Sequence, residues 1–188
     1  EGSTKTDAGG VFTLADGSIH MRNWREADNQ LLPRLRFARQ NGMALIEPGP
    51  EGAPVAGAQV RSWMLGNWSG SAEAQLRTLR AGACIREAEG RQVLLYGVFS
   101  SATPSGMTRV FQSYGCEFAM LLDMNSLDLT YAAIYTRQPG AEGFETFHLD
   151  RRMAESDTRQ RDGTSIARFV DYSDNRDFIY LLRRQGRD

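Results

Sequence analysis

Thr78-Leu79-Arg80-Ala81-Gly82-Ala83-Cys84-Ile85-Arg86 and Gln92-Val93-Leu94-Leu95-Tyr96-Gly97-Val98-Phe99-Ser100, joined around Glu87-Ala88-Glu89-Gly90, decide the fold. Two runs rich in apolar and β-branched residues, bounded by a turn that ends on glycine, read as an antiparallel hairpin. Thr103-Pro104-Ser105-Gly106 follows, then Met107, Val110, Phe111 and Tyr114 at helical spacing, then Gly115. Thr103 as N-cap, Pro104 at the first helical position and Gly115 past the end agree on a short helix. Glu117 to Leu122 reads as a buried strand that delivers Asp123-Met124-Asn125-Ser126 to its end, and a further strand runs from Thr130 to Tyr135.

Toward the N-terminus, Val11 to Leu14 and Ile19 to Trp24 flank an Asp16-Gly17 turn, a second hairpin signal. Residues 25 to 41, interrupted by Pro33, read as a loop and a short helix ending near Asn41-Gly42, and Met43 to Ile46 as a short strand. Residues 47 to 75 are rich in Pro, Gly and Ser and read as one long irregular connection, bracketing Trp63 and Trp68. Toward the C-terminus come a strand from Phe144 to Leu149, a short helix around Arg151 to Glu155, and a polar loop from 156 to 164. Strands over 166 to 170 and 177 to 184 complete the chain. Strands dominate, so the expected class is α+β: a mixed, largely antiparallel sheet with a few short helices in a single domain over 11 to 188, behind a flexible lead-in of residues 1 to 10.

The chain has 188 residues and a net charge of -1, from 22 Lys plus Arg against 23 Asp plus Glu. A chain this long buries roughly 70% of its unfolded surface, enough for a core without metal or disulfide staples. The near-zero charge excludes a nucleic-acid surface driven by bulk charge. No apolar run reaches the roughly 18 to 20 residues of a membrane span, and a start at Glu1, without Met or a signal-like segment, reads as a processed or trimmed product. Of the cationic residues only Lys5 is lysine, a bias that composition explains without function. Cys84 and Cys116 either pair in an oxidising compartment or stay as small core residues; their apolar surroundings favour the second.

Catalytic signatures such as Gly-x-Ser-x-Gly, a P-loop, His-Glu-x-x-His or Gly-x-Gly-x-x-Gly are absent from the sequence. His20 and His148 read as strand surface residues, so any chemistry rests on carboxylates, arginine, amides and hydroxyls. The leading site candidate is Asp123 with Asn125, where an apolar strand stops on Asp-x-Asn at the sheet rim; a turn in which both bond backbone amides explains the pair equally simply. Asp128 extends it to a loosely calcium-like pattern without an EF-hand's glycine and distal glutamate. Arg80, flanked by small residues, suits a phosphate or a strand-edge ion pair. Arg39-Gln40-Asn41-Gly42 is a donor and acceptor cluster that a helix C-cap also explains, and 171 to 177 is an acidic turn.

Read in order, Asp16-Gly17-Ser18 with Trp24, Arg39-Gln40-Asn41 with Leu45-Ile46-Glu47 and Gly49, Arg80-Ala81-Gly82-Ala83, and Ala119-Met120-Leu121-Leu122-Asp123-Met124-Asn125 with Thr130 and Tyr135 resemble the phosphodiester glycosidase family. That family is typified by N-acetylglucosamine-1-phosphodiester alpha-N-acetylglucosaminidase and includes bacterial proteins linked to exopolysaccharide. The resemblance implies hydrolysis of a sugar-1-phosphodiester or related exported glycan in the periplasm or outside the cell; no cofactor is expected, and a divalent cation at Asp123, Asn125 and Asp128 belongs to a third reading, a metal-dependent nuclease or phosphatase. It assigns Asp123, Arg80 and Asn125 to catalysis, with Arg80 holding the phosphate, and Arg39, Gln40, Asn41, Ser100 and Thr130 to a carbohydrate or sugar-phosphate substrate. An arginine suits a phosphate leaving group and a carboxylate suits an oxocarbenium-like transition state.

Two departures qualify it. The family's Gly-Gly-Gly-Ser after the aspartate is here Met124-Asn125-Ser126-Leu127, and its Asn-Gly-Gly-Phe motif is echoed only by Asp7-Ala8-Gly9-Gly10-Val11-Phe12. The first supports an alternative, a non-catalytic glycan-binding or exopolysaccharide assembly module that keeps the fold, with Trp63 and Trp68 as sugar platforms. The second makes an upstream segment of the same protein an expected partner.

Overall fold

The computed structural model describes residues 8–58, 60, 76–172, 174, 176 and 178–183; Trp63 and Trp68 lie outside them. The chain divides into two compact units, Glu1–Thr130 and Tyr131–Asp188. The class is α+β, with mostly antiparallel sheets and few short helices.

In the first unit, β1 (Gly9–Leu14), β2 (Ile19–Asn23) and β3 (Leu35–Gly42) form a sheet in the order β2-β1-β3. The segment read as a helix toward Asn41 is instead β3. Leu35-Arg36-Phe37-Ala38-Arg39 is rich in good helix formers, but pairing with β1, which matches Arg39 to Val11 and Phe37 to Thr13, overrides that local preference. The helical part of 25–41 is a 3-10 helix, Glu26–Arg34, pinned by Asp28. Its carboxylate takes two hydrogen bonds from the Arg22 guanidinium at 2.6 and 2.7 Å and one from the Arg25 amide at 2.7 Å. Together these bonds hold the Asp28 carboxyl below the usual carboxylate range.

The second sheet runs β5-β4-β8-β6-β7, with β4 (Ala44–Pro48), β5 (Pro54–Ala56), β6 (Thr78–Ala88), β7 (Arg91–Ala102) and β8 (Phe118–Met124). Part of the long connection is therefore a strand, since Pro54–Ala56 pairs with β4. The hairpin β6–β7 closes on Glu89-Gly90, both at positive φ (52° and 69°), the geometry of a two-residue turn whose twist matches the strands.

Period-two alternation sends the side chains of β6 and β8 to two faces. Ala83, Ile85, Phe118 and Met120 pack against Val11 and Met21 of the three-stranded sheet. Cys84, Ala119 and Leu121 face the other way, onto Met107 and Phe111 of α1 (Pro104–Ser113). The helix begins and ends as its caps dictate: the Thr103 hydroxyl accepts from the Gly106 amide at 3.1 Å, and Gly115 follows at φ +72°. Gly82 lets it approach, because a Cβ there would lie 2.9 Å from both Met107 and Phe111. The unit is thus layered as sheet, sheet, helix.

The cysteines do not stay separate. Cys84 and Cys116 form a disulfide across 32 positions with Cα atoms 5.9 Å apart, inside the helix-side core. Antiparallel pairing of Cys84 with Ala119 brings Cys116, three residues earlier, to the bond.

The second unit holds β9 (Ala133–Thr136) paired with β10 (Glu145–His148), and β11 (Thr158–Arg159) paired with β12 (Ser165–Ile166). A 3-10 helix, Arg151–Ser156, lies between them, its N-terminus capped by Asp150 and its Met153 buried. The strands expected over 166–170 and 177–184 are not formed among the described residues; the first stops at Ile166, and Phe169 turns back at φ +62°.

Candidate functional site

The sequence candidates converge on the ends of β6 and β8. Arg80 pairs in register with Met124, and Gly82 with Leu121, so β8 carries one extra residue between the two pairs. This bulge decides which way the polar side chains point. Met124 shares the helix-side face with Arg80, its sulfur 3.3 Å from a guanidinium nitrogen. Leu122 belongs with the opposite face, packed against the cluster around Val11, Met21 and Ala83. Asp123 lies on that opposite face too, beside Tyr96, whose register partner is Ala83. Burial, with the Asp123 charge adding to it, pushes the Tyr96 phenol well above its ordinary range.

Arg80 has no exposed surface. Its guanidinium donates to the Ala102 carbonyl at 3.0 Å and the Leu76 carbonyl at 3.3 Å, as well as meeting Met124. Burial lowers its basicity from the ordinary arginine range. A guanidinium held among backbone carbonyls ties β6 to the end of β7 and to the chain entering β6. That is a structural brace, and it turns the donor fork inward.

Asn125 closes the strand at φ +77°, a left-handed position that Asn tolerates better than most residues. Its amide donates to the Leu79 carbonyl at 2.8 Å and its side-chain oxygen accepts from the Thr78 hydroxyl at 3.1 Å. Thr130 is fully buried and completes the following turn, its amide and hydroxyl both donating to the Ser126 carbonyl at 3.1 and 3.0 Å. Its own carbonyl accepts from Tyr96 at 3.0 Å. Both residues therefore carry local backbone roles, and Asp123 and Arg80, expected to act together, are held on opposite faces of one sheet.

The remaining candidates lie elsewhere in the first unit. Arg39 and Gln40 are in β3, matched to Val11 and Gly10; the backbone of Asn41 continues the strand, and its side chain is outside the described atoms. Gly10 belongs to that pairing, since a Cβ there would come within 3.1 Å of the Arg39 carbonyl. Ser100 is exposed on β7, where the register shifts between Thr78–Ala102 and Arg80–Phe99. Asp128 lies in the turn after β8, and among the described residues no group of three or more His, Cys, Asp or Glu could hold a metal ion.

Reasoning from sequence missed two arrangements. Asn23 and Glu47 join β2 to β4, the Asn23 side-chain amide donating to Glu47 at 2.9 Å, while the second Glu47 oxygen accepts from the Ala58 amide at 2.8 Å. In the second unit His148 is no surface residue: its Nε2 lies 2.9 Å from Asp157, whose other oxygen accepts from the Tyr131 hydroxyl at 2.7 Å. Tyr131 also meets Tyr135 at 3.0 Å, and burial raises both phenols. Period-two placement of Phe147 and His148 predicts only that they face opposite ways; what His148 faces depends on the loop that brings Asp157 back.

No protein-family model matches the chain, and neither a curated protein nor a solved structure matches it.

Proposed function

We propose that this chain is a non-catalytic carbohydrate-binding module on a phosphodiester-glycosidase-like scaffold, working outside the cytoplasm. The ligand class rests on the ordered resemblance described above, from Arg80-Ala81-Gly82-Ala83 to Leu122-Asp123-Met124-Asn125. The loss of turnover rests on one observation: where that family has glycine after the aspartate, Met124 lays its sulfur 3.3 Å from the Arg80 guanidinium. A glycine at this place leaves space for a phosphate to approach the arginine, whereas a methionine fills it. Asp123 on the opposite face supports the same reading, because acid and phosphate-binding group must converge on one bond to cleave it. The Cys84–Cys116 disulfide supports an oxidising compartment.

Equilibrium titration of the oxidised chain with anionic exopolysaccharide fragments and with a sugar-1-phosphodiester tests it. The reading predicts saturable glycan binding with the titrant recovered intact. Release of free sugar and phosphate monoester by the wild-type chain would replace it with the hydrolase reading, and absence of binding to every glycan would remove it.

A further inference from the structure

In the first unit β6 outruns its neighbour. It pairs with β8 only as far as Ile85, opposite Phe118, yet continues to Ala88, so the edge of its last residues has no strand beside it. A cavity of about 280 Å³ lies there, lined by Ile85, Arg86, Glu87, Gly90, Gln92 and Glu117. That is just below the roughly 300–1,000 Å³ of sites for drug-sized ligands and suits one small molecule or one unit of a polymer. Ile85 is buried beneath it, and Gly90 faces open space, since a Cβ there would meet nothing within 4 Å.

The walls of this cavity are fixed by bonds that reach across the fold. The Glu117 carboxylate accepts from the Glu87 amide at 2.9 Å, taking the place of the missing strand, and the Arg86 guanidinium donates to the Tyr114 carbonyl at 2.6 Å. The disulfide joins Cys84 and Cys116, the residues immediately before Ile85 and Glu117, so both walls leave from one covalent link. Groups held in place this way bind a ligand with little ordering cost. Glu87 and Gln92 are register partners on one face of the hairpin. Neither the Glu87 carboxylate nor the Gln92 side-chain amide has a partner among the described residues, while Glu117 keeps its second oxygen and Arg86 its further N–H groups.

This mixture of groups selects the ligand. A metal ion or an ammonium group suits the carboxylates, but it accepts nothing from the Arg86 and Gln92 donors and faces the guanidinium charge. An anion meets two carboxylates against one guanidinium. Vicinal hydroxyls donate and accept at once and carry no charge, so they answer all four groups. We propose that this cavity is a sugar subsite, holding one uncharged pyranose unit of a glycan through Glu87, Gln92, Glu117 and Arg86 above Ile85. The proposal rests on the carbohydrate reading and gives it a place, at the opposite end of β6 and β8 from Arg80 and Asp123.

Amide proton–nitrogen correlation spectra of the isotope-labelled, oxidised chain test this, titrated in turn with methyl glucoside, methyl galactoside, exopolysaccharide fragments, glucose-1-phosphate, calcium chloride and ethylamine. At least one neutral sugar is expected to shift the Gly90 amide and the Gln92 backbone and side-chain signals saturably, with glucose-1-phosphate binding there more weakly. Glu87→Gln keeps the shape and removes the charge-assisted bond, weakening that sugar roughly tenfold; Gln92→Ala weakens it roughly two- to tenfold. Both positions are exposed, and far-ultraviolet circular dichroism confirms that the variants fold. Sugar-induced shifts that spare Gly90 and Gln92, or variants that bind as wild type does, overturn the subsite and leave the carbohydrate reading standing. Glucose-1-phosphate, calcium or ethylamine binding at Gly90 and Gln92 more tightly than every neutral sugar overturns the uncharged ligand class. No shift anywhere with any sugar or fragment removes the subsite and the carbohydrate reading together.

Discussion

Replacing Arg80 by alanine separates a structural arginine from one kept for a ligand. The guanidinium bonds to the Ala102 and Leu76 carbonyls contribute about 1.5–3 kcal/mol each as bonds to a charged group. Holding that charge away from water costs several kcal/mol, so the polar contributions largely cancel. What remains is the void left beside buried Ala102 and Met124 when the long stem is cut back, about 2–5 kcal/mol for a large-to-alanine change in a core. In a chain of this size that lowers the thermal midpoint by about 5–15 °C. Arg80→Met keeps most of the volume and sheds both the bonds and the buried charge, so its stability stays within about 1 kcal/mol of wild type. Thermal unfolding by circular dichroism measures both, and glycan titration of the methionine variant should leave the affinity within about twofold, since an enclosed fork contributes no ligand contact. An Arg80→Ala chain as stable as wild type, or an Arg80→Met chain that keeps its fold and loses glycan binding, would refute the brace.

Three further outcomes follow from the same geometry. Cys84→Ala/Cys116→Ala frees a loop of 32 positions and should cost about 3.5 kcal/mol in urea unfolding, whereas an oxidised and a reduced chain of equal stability would exclude the bond from the native fold. Glu89→Asn suits the left-handed first position of the β6–β7 turn and should raise stability by about 1 kcal/mol, read as a higher urea midpoint; a lower midpoint contradicts the turn geometry. The Tyr96 phenol is held neutral in the fold, so its contribution is complete below the ordinary value of 10.0 and is lost as pH rises through the raised folded value. Asp123→Asn should shift the ionisation of Tyr96 to lower pH, read as the ultraviolet difference from Tyr96→Phe, and an unchanged titration would remove Asp123 from the Tyr96 face.

The elements that were legible are those whose signals are local. Thr103, Pro104 and Gly115 mark the ends of α1 by side-chain capping, fixed φ and a left-handed residue, each readable in place. Hairpins β1–β2 and β6–β7 announce themselves by turns ending on Gly17 and Gly90. By contrast β3 exists because β1 pairs with it, and Leu35 to Gln40 expose so much on both faces that no alternation marks the strand. The disulfide depends on the register of β8 against β6, which spacing alone does not contain. The candidate site was legible as a set of residues and illegible as an arrangement. Asp-x-Asn at a strand end and an arginine among small residues were found, but a single extra residue in β8 sends Asp123 to one face and leaves Met124 with Arg80 on the other.

Phosphorus-31 magnetic resonance of a sugar-1-phosphodiester incubated with the oxidised wild-type chain, and separately with Asp123→Ala, tests the central claim most directly. The enclosed Arg80 and the divided site predict a single, unchanged diester resonance in both samples through prolonged incubation. A phosphate monoester resonance that grows with the wild-type chain and is absent with Asp123→Ala would contradict it.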